Sequence, residues 1–372
     1  MDKPSDFTLL ASYLEQDPDN LALLADAAQA AFAEEKEAQA TALIARHAAL
    51  APLPAELQYL AGMIALRGQQ WAEAVATFTD LLAGGHDGAA IRYNLAWASA
   101  MLKDFAGALA VLDDTTAEAL PQAAELQVQL LHQQGVLDRA GERARLLLAR
   151  FPDHRGLNAA ISTLAIDLED AELAQTTADA AGDHPDAMVT QATLALREGA
   201  VTTAARLFDA VLAQRPNAPR AWIGLGLIQL QGGEPHAAAE ALDRGAELFE
   251  THLGSWIASG WAYLLANDAA TARARFEQAL KLDDSFSEAQ GSLAVVDLLE
   301  GAVESARRRT EVALRLDRQG FAGALAAVML KAGDGDTAAA QRLFERALHT
   351  PIDADGLTVA AAIARMGLGA DR

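Results

Sequence analysis

The chain has no cysteine, which excludes disulfide bonds, zinc sites built from thiolates and cysteine nucleophiles together. It also has no apolar run that approaches the length of a membrane-spanning helix, so we expect no direct membrane insertion. Its first twenty residues lack the basic head and apolar run with which a secretory leader begins. The last two absences predict a cytoplasmic protein, whereas the lack of cysteine does not fix the compartment.

Basic residues are scarce. Lysine and arginine total 29 against 51 aspartates and glutamates, and the formal net charge is −22. Such a charge repels a phosphate backbone at long range, so no nucleic acid partner is expected. The charge is uneven, because residues 1–50 hold nine acids and three bases whereas residues 301–350 hold six acids and eight bases. The two ends of the chain therefore differ in sign.

Catalytic motifs are also missing. The sequence contains no Gly-x4-Gly-Lys-Ser/Thr loop, no Gly-x-Ser-x-Gly and no His-Glu-x2-His. His236 and Glu240 are spaced to share one face of a helix, but no third metal ligand accompanies them. Asp334-Gly-Asp336 resembles the start of a calcium loop, yet it lacks the later glutamate and suits a turn between helices. We expect no enzyme activity, no cofactor and no metal site.

What the chain does contain is a repeat with a period of 34 residues. Ala204 and Phe208 recur as Ala272 and Phe276, which is two periods later. Similar alanines, each in an apolar stretch with helical spacing, mark about ten repeats: Ala40, Ala74, Ala108, Ala140, a poor copy around Ala171, Ala204, Ala238, Ala272, Ala306 and Ala340. A period of this length is typical of solenoid proteins.

Each repeat is predicted to be a helix, a short turn and a second helix. Trp222, Leu225, Gly226 and Gln229 fall on one helical face before the turn at Gly232–Gly233. One period later the same face carries Trp256, Ser259, Gly260 and Tyr263, and Ala272, Phe276 and Ala279 follow in the second helix. Small residues such as Gly260 are expected to let the two helices approach closely. Large residues such as Phe78, Phe208, Phe276 and Phe344 are expected to fill the gap toward the next repeat.

These residues resemble the tetratricopeptide repeat, whose pattern is Trp-x2-Leu-Gly-x2-Tyr, then Ala-x3-Phe, then Pro. The copy beginning at Trp256 departs from that pattern at Ser259 and Asp284. The resemblance implies an all-α fold, a right-handed α–α superhelical solenoid. We expect one continuous solenoid over 1–372, with an N-terminal half repeat at 1–20, about ten repeats over 21–350 and a C-terminal helix at 353–368. Shortened spacing predicts irregular repeats near 115–184, which either change the superhelix or form a compact loop.

The resemblance also implies that the first helices line a concave groove that binds peptides. The groove residues predicted from the family's positions are Tyr59, Met63, Arg67, Tyr93, Asn94, Trp97, Met101, Ile223, Leu227, Leu230, Ile257, Trp261, Leu264 and Leu298. Trp222 and Trp256 occupy the family's packing position, and Trp71 and Phe105 are also expected to be packing residues.

The function expected from this pattern is a non-enzymatic protein interaction module. It would act as an adaptor or a secretion-type chaperone that holds an apolar peptide or helix of a protein partner. The family members that clamp the carboxylate tail of chaperones use a lysine at the fifth position of the repeat, and no lysine occurs there in this chain. The alternative is a scaffold that self-associates, with the acidic front meeting the basic region around Arg307, Arg308, Arg309, Arg315 and Arg318. The apolar C-terminal helix, with Leu357, Val359 and Ile363, is a further candidate for docking.

Overall fold

The computed structural model describes residues 6–336, 338 and 340–342. Those residues form helices joined by turns, without a strand among them, which confirms the predicted all-α class. The chain divides into two compact units, Met1–Thr190 and Gln191–Arg372. Phe344 and the predicted C-terminal helix at 353–368 lie outside the described residues.

The first unit is built from short helices that pack on their neighbours in chain order. They are α1 (Asp6–Leu14), α2 (Leu21–Ala33), α3 (Glu37–Leu50), α4 (Ala55–Arg67), α5 (Trp71–Ala83), α6 (Ala89–Met101), α7 (Phe105–Val111), α8 (Asp114–Ala119), α9 (Pro121–Gln133), α10 (Leu137–Arg150), α11 (Arg155–Asp167) and α12 (Ala171–Ala181). Helix α13 (Pro185–Arg197) includes residue 190, where the first unit ends.

The second unit continues the same alternation. Its helices are α14 (Val201–Gln214), α15 (Pro219–Gln231), α16 (Pro235–Phe249), α17 (Leu253–Leu265), α18 (Ala269–Leu282), α19 (Ser287–Leu299), α20 (Val303–Leu316) and α21 (Phe321–Gly333). Each of the first helices α17 and α19 packs on its own second helix and also on the next first helix. This double contact is what a repeat array needs to bury a continuous core.

In the first unit, every first helix ends in the same turn. One residue with a positive φ, between 56° and 70°, follows each helix closely: Glu35, Gln69, Lys103, Gly135 and Glu169. The N–H of the next residue then donates to a carbonyl five residues earlier, for example from Gln70 to Ala65 at 2.8 Å. This is the Schellman end of a helix, which satisfies carbonyls that the helix itself leaves unpaired.

The second unit repeats this turn at Gly199, Gly233, Asn267, Gly301 and Gly335, with φ between 62° and 81°. The same backbone hydrogen bond follows, for example from Glu234 to Gln229 at 2.9 Å. Gly335 lies between Asp334 and Asp336, and Asp336 donates its N–H to Lys331 at 3.0 Å. The interpretation of this segment as a turn between helices is confirmed.

The turn residues locate the irregular repeats. Neighbouring turn residues are 34 positions apart, except for 32 between Lys103 and Gly135 and 30 between Glu169 and Gly199. Both shortened intervals overlap the stretch predicted from the sequence to be irregular. The repeat between them, from Gly135 to Glu169, has the full length of 34.

The first shortened interval contains a broken second helix. Helix α7 ends at Val111 after seven residues, and α8 starts a new helix at Asp114. The Asp113 carboxylate begins α8 by accepting the Thr116 N–H at 2.7 Å. The buried Arg143 of α10 then holds α8 in place, because its Nη1 donates to Glu118 at 2.9 Å and its Nη2 donates to the Asp114 carbonyl at 3.3 Å.

The second shortened interval contains α12, the second helix of a repeat that the sequence analysis centred around Ala171. That centre is wrong, because Ala171 is the exposed first residue of α12 while Ala174 and Ala178 are buried. Ala174 lies 34 residues after Ala140 and is the true equivalent of the other alanines. Ala178 occupies the place of phenylalanine, so the search for an Ala-x3-Phe pattern could not locate it.

Close helix contacts within a repeat pair glycine with phenylalanine. A Cβ on Gly62 would lie 2.7 Å from the Phe78 ring, and one on Gly260 would overlap the ring of Phe276. In each pair the glycine and the ring belong to the same repeat, which confirms that small residues allow close approach. The rings also reach the next repeat, since Phe78 shares a core cluster with Leu95.

The recurring turn generates a matched pair of substitutions. Gln69 adopts the left-handed conformation at a cost that glycine avoids, so Gln69→Gly should stabilise the protein by about 1 kcal/mol. Gly233→Ala should destabilise it by a similar amount, and the cause is the backbone alone because a Cβ there would meet no atom within 4 Å. Urea denaturation of each variant checks this pair. Shifts of the two midpoints in the same direction would contradict the assigned turn.

The glycine contact generates a second pair. Gly260→Ala forces a methyl group into the buried Phe276 ring and should destabilise the protein by about 1–3 kcal/mol. Gly333→Ala is the control, since that helical glycine has nothing within 4 Å of its Cβ position, and it should be neutral or slightly stabilising. Hydrogen exchange should show the loss of protection beginning in α17 and α18. Equal destabilisation by both substitutions would refute the close-contact assignment.

Candidate binding groove

Half of the predicted groove residues lie in the first unit, on the neighbouring first helices α4 and α6. Helix α4 carries Tyr59, Met63 and Arg67, and helix α6 carries Tyr93, Asn94, Trp97 and Met101. In each helix these residues are three to four positions apart or adjacent, so they share one side of the helix. The structure separates them into an exposed group and an internal group.

The exposed group consists of Trp97 and Met101, and the half-buried rings of Trp71 and Tyr93 adjoin Trp97. The rings of Tyr93 and Trp97 stack with their centroids 6.4 Å apart and an angle of 16° between their planes. Trp71 tilts against Trp97 at 6.1 Å. Trp97 is 38% exposed and Met101 is 47% exposed. We call Trp71, Tyr93, Trp97 and Met101 the aromatic patch.

Trp71 was not among the predicted groove residues. Its expected packing role is correct, because the half-buried ring joins the core cluster around Phe78 and Leu81. It also reaches Trp97, because it begins α5 immediately after the turn at Gln69 and Gln70. The sequence could have indicated this contact, because a residue directly after that turn lies beside the end of the next first helix.

Asn94 belongs to the internal group. Its side chain is buried, with 6% exposure, and its Nδ2 donates to the Tyr59 hydroxyl at 3.2 Å and to Met63 Sδ at 3.3 Å. The amide therefore ties α6 to α4 and is not presented to a ligand. Tyr59 is half-buried as well, and its ring meets Phe78 edge-on at 5.8 Å.

Two charged groups near the aromatic patch have partners of their own. Arg67 is engaged with the preceding repeat, because its guanidinium lies 4.0 Å from the centre of the Phe32 ring and 3.5 Å from Glu37. Glu125 of α9 accepts a hydrogen bond from Gln129 at 3.2 Å and lies 3.9 Å from His154 Nδ1. Burial and the negative charge of Glu125 raise the pKa of the Tyr93 phenol, so this carboxylate acts on the patch electrostatically.

The other half of the predicted set lies in the second unit. These residues are Ile223, Leu227 and Leu230 on α15, Ile257, Trp261 and Leu264 on α17, and Leu298 on α19. Only Leu227 among them is exposed, and the others are half-buried. Trp261 packs edge-on against Phe276 at 5.8 Å and against Phe321 at 6.1 Å. This tryptophan contributes mainly to the core.

The exposed apolar residues of the second unit are mostly different ones. Leu265 is 62% exposed and Leu299 is 59% exposed. Both lie two residues before the left-handed turn residue, the same place that Met101 occupies in the first unit. Phe321, at the start of α21, is also exposed and was missed because its exposure depends on the packing of three successive repeats.

Two buried carboxylates in the second unit are fully engaged within it. Asp243 accepts from Ser259 at 2.9 Å and from Arg275 Nη2 at 2.7 Å. Asp297 accepts from Ser305 and from Arg273, each at 2.6 Å. Burial acts to raise the pKa of Asp297, but these hydrogen bonds outweigh it and lower the pKa. Both groups are structural.

The tryptophans predicted to pack do so through the same contact. Trp256 is buried and donates its Nε1–H to the Glu250 carbonyl at 2.8 Å, and the half-buried Trp222 donates to the Pro216 carbonyl at 2.8 Å. Within the described part of the chain, no three histidine, aspartate or glutamate side chains are grouped to hold a metal ion. None of the helices described there is long and apolar enough to cross a membrane.

Comparison with known proteins supports the repeat directly. A family model for the tetratricopeptide repeat matches residues 59–124 and 189–251. Human IFIT1, solved as a dimer with m7Gppp-AAAA, aligns over 95% of this chain and 96% of its own at 12% identity, with a TM-score of 0.54. MamA from Desulfovibrio magneticus RS-1 aligns over 44% of this chain and 95% of its own at 18% identity, with a TM-score of 0.38. No curated protein sequence matches significantly.

The likeness to human IFIT1 extends over nearly the whole chain and, at such low identity, concerns the fold alone. Three further findings relate the repeat to the sequence as well as to the fold: the matched family model, the recurring turn and the glycine–phenylalanine contacts. On these grounds the chain is a tetratricopeptide-repeat protein with an all-α repeat fold.

Proposed function

We propose that this protein is a non-enzymatic interaction module that binds an apolar peptide or helix of a partner protein on the aromatic patch. The supporting observation is the exposure of Trp97 and Met101 beside a rigid stack of rings. Tryptophan and tyrosine dominate the energetics of protein interfaces, and methionine adapts to partners of different shape. An adaptor and a secretion-type chaperone both use such a surface.

The remaining predicted groove residues have graded roles in this proposal. Leu227 is exposed and available for contact. Seven others are half-buried, so only part of each side chain can meet a partner: Tyr59, Met63, Ile223, Leu230, Ile257, Leu264 and Leu298. Asn94 in the first unit and Trp261 in the second unit pack inside their own units and are not offered to a partner. Nothing in this arrangement calls for a cofactor, and the cytoplasmic location remains a prediction.

An RNA partner is not favoured. Human IFIT1 was solved with m7Gppp-AAAA, but the present chain has a net charge of −22. RNA binding depends on neutralising phosphates with lysine and arginine. The charge therefore argues for a protein partner.

A selected peptide library tests the proposed site. Peptides should be selected on the wild-type protein, and their dissociation constants measured by fluorescence anisotropy. Trp97→Ala combined with Met101→Ala should weaken binding about 30-fold, which corresponds to the loss of roughly 2 kcal/mol expected at an interface hot spot. The circular dichroism spectrum should be unchanged because both side chains are partly in solvent.

The control removes two exposed leucines from other helices of the same unit. Leu50 on α3 and Leu146 on α10 are each 47% exposed, the same fraction as Met101. Leu50→Ala with Leu146→Ala should leave peptide affinity unchanged. If the library yields no binder, or if binders tolerate the patch variant as well as the control, the proposed site is wrong.

Self-association is the second candidate, and the difference in charge between the two ends of the chain favours it. Two arginines of the basic region already pair with carboxylates of the same unit. Arg307 pairs with Asp334 at 2.5 Å and Arg309 pairs with Asp297 at 3.1 Å. Arg308, Arg315 and Arg318 remain exposed. The predicted docking residues Leu357, Val359 and Ile363 lie outside the described residues.

Light scattering across salt concentration separates the two candidates. An assembly held by surface charges should dissociate between about 0.05 M and 0.5 M salt, because exposed charges are screened over that range. A peptide-binding module should keep one mass throughout. A concentrated sample whose mass falls steeply with added salt would favour the scaffold.

A further inference from the structure

Helix α1 has the place of a second helix in the repeat. Its residues Leu10 and Tyr13 lie 34 positions before Ile44 and His47 of the second helix α3, and it packs on α2, the first helix of the following repeat. A second helix elsewhere also packs on its own first helix, as α18 packs on α17 and on the following α19. The part of the chain that the structure describes contains no first helix ahead of α1.

The face of α1 that a first helix would cover is exposed. Tyr13 is 46% exposed, and Leu9, one turn earlier, is 42% exposed. The equivalent of Tyr13 lies twelve positions after the turn residue and is at most 4% exposed in seven later repeats: His47, Leu81, Leu147, Ala181, Val211, Ala279 and Ala313. An aromatic ring therefore meets solvent in α1 at a position that the later repeats bury.

Leu10 shows the same difference. It is half-buried, whereas Phe78 and Phe276 occupy its position in later repeats and are fully buried. The Phe276 ring lies against Gly260 of its own first helix. Helix α1 thus presents a large side chain at this position without the small residue on which such a side chain packs.

The sequence beyond the described residues supplies the complementary half of a repeat. Residues 355–369 are in the register of a first helix, because Gly369 lies one period after the turn residue Gly335. Ala362 lies three periods after Gly260, at the position that needs a small residue. Arg365 is the only charged residue in 356–369, whereas residues 6–19 hold four acids and no base. The two segments are therefore complementary in register, in side-chain size and in charge.

We infer that copies of this protein associate head to tail, with residues 355–369 of one copy packed on α1 of the next. The first helix of one copy and the second helix of the other then form one complete repeat, in which Leu10 meets Ala362 and Tyr13 is covered. The contact joins two different surfaces, so association continues into rings or filaments. This contact is mainly apolar and does not use the aromatic patch, so the inference goes beyond the proposed function.

Sedimentation velocity over a range of protein concentrations tests the association. The mean mass should rise between about 10 µM and 1 mM, because one pair of short helices buries less than the roughly 1,200 Å² of a stable interface. The rise should persist at about 0.5 M salt, where exposed charges are screened. A protein that stays monomeric up to about 1 mM overturns the inference.

One substitution on each side tests the contact. Tyr13→Glu places a charge on α1, and Ala362→Glu places one where the small residue is needed; each alone should abolish the rise in mass. Leu50→Glu is the control, since Leu50 on α3 is 47% exposed, nearly the same fraction as Tyr13, and this variant should associate like the wild type. Peptides selected on the aromatic patch should bind the Tyr13→Glu variant normally, so the inference and the proposed function can fail separately.

Mixing the two defective variants gives the sharpest result. The Tyr13→Glu copy keeps residues 355–369 intact, and the Ala362→Glu copy keeps α1 intact. An equimolar mixture should therefore form a dimer and nothing larger, which also shows that both variants are folded. A contact between two identical surfaces would not be restored in this way. The absence of a dimer in the mixture, or an equal loss of association in Leu50→Glu and Tyr13→Glu, overturns the inference.

Discussion

The left-handed turn at the end of each first helix is the constraint on which the rest of the structure depends. It closes the helix with a hydrogen bond to the carbonyl five residues earlier, as between Gln70 and Ala65, and it sends the chain back along the helix just completed. The returning helix then brings Phe78 onto Gly62 or Phe276 onto Gly260. Because the turn recurs at one position, every later residue of a repeat is placed relative to it.

The sequence analysis predicted this architecture well where side-chain packing determines it. The 34-residue spacing of Ala204, Phe208 and their equivalents predicted the helix pairs, and Gly260 was correctly expected at a close contact. The sequence was less informative about the turns, whose structure depends on backbone conformation. Glu35, Gln69, Lys103, Glu169 and Asn267 all adopt the positive φ that glycine adopts elsewhere, so glycine alone marks only some of the turns.

The irregular stretch shows a second limit. Shortened spacing predicted irregularity near 115–184, but it could not show that α7 and α8 are separate helices joined at Leu112 and Asp113. The second of these helices contacts Arg143, a residue from another helix whose guanidinium reaches Glu118. In α12 the equivalent of Ala140 is Ala174, and Ala178 is buried where a phenylalanine was sought.

The candidate site was predicted at the level of helix faces. Periodicity indicates which side of a helix looks toward its neighbours, and it placed Trp97, Met101 and Leu227 on the surface that the structure exposes. It cannot indicate how far the next repeat covers that side. Asn94 is buried by its contacts with Tyr59 and Met63, and Trp261 is covered by Phe276 and Phe321. Trp71 entered the patch through a contact between different repeats.

The central claim is that the aromatic patch is the surface on which this protein receives a partner. Hydroxyl-radical footprinting read by mass spectrometry tests it most directly, because tryptophan and methionine report their solvent exposure through oxidation. With a bound peptide, oxidation of Trp97 and Met101 should fall strongly, while Tyr13, which is 46% exposed on α1, should be oxidised as before. Unchanged oxidation of Trp97 and Met101 in a saturated complex would contradict the claim.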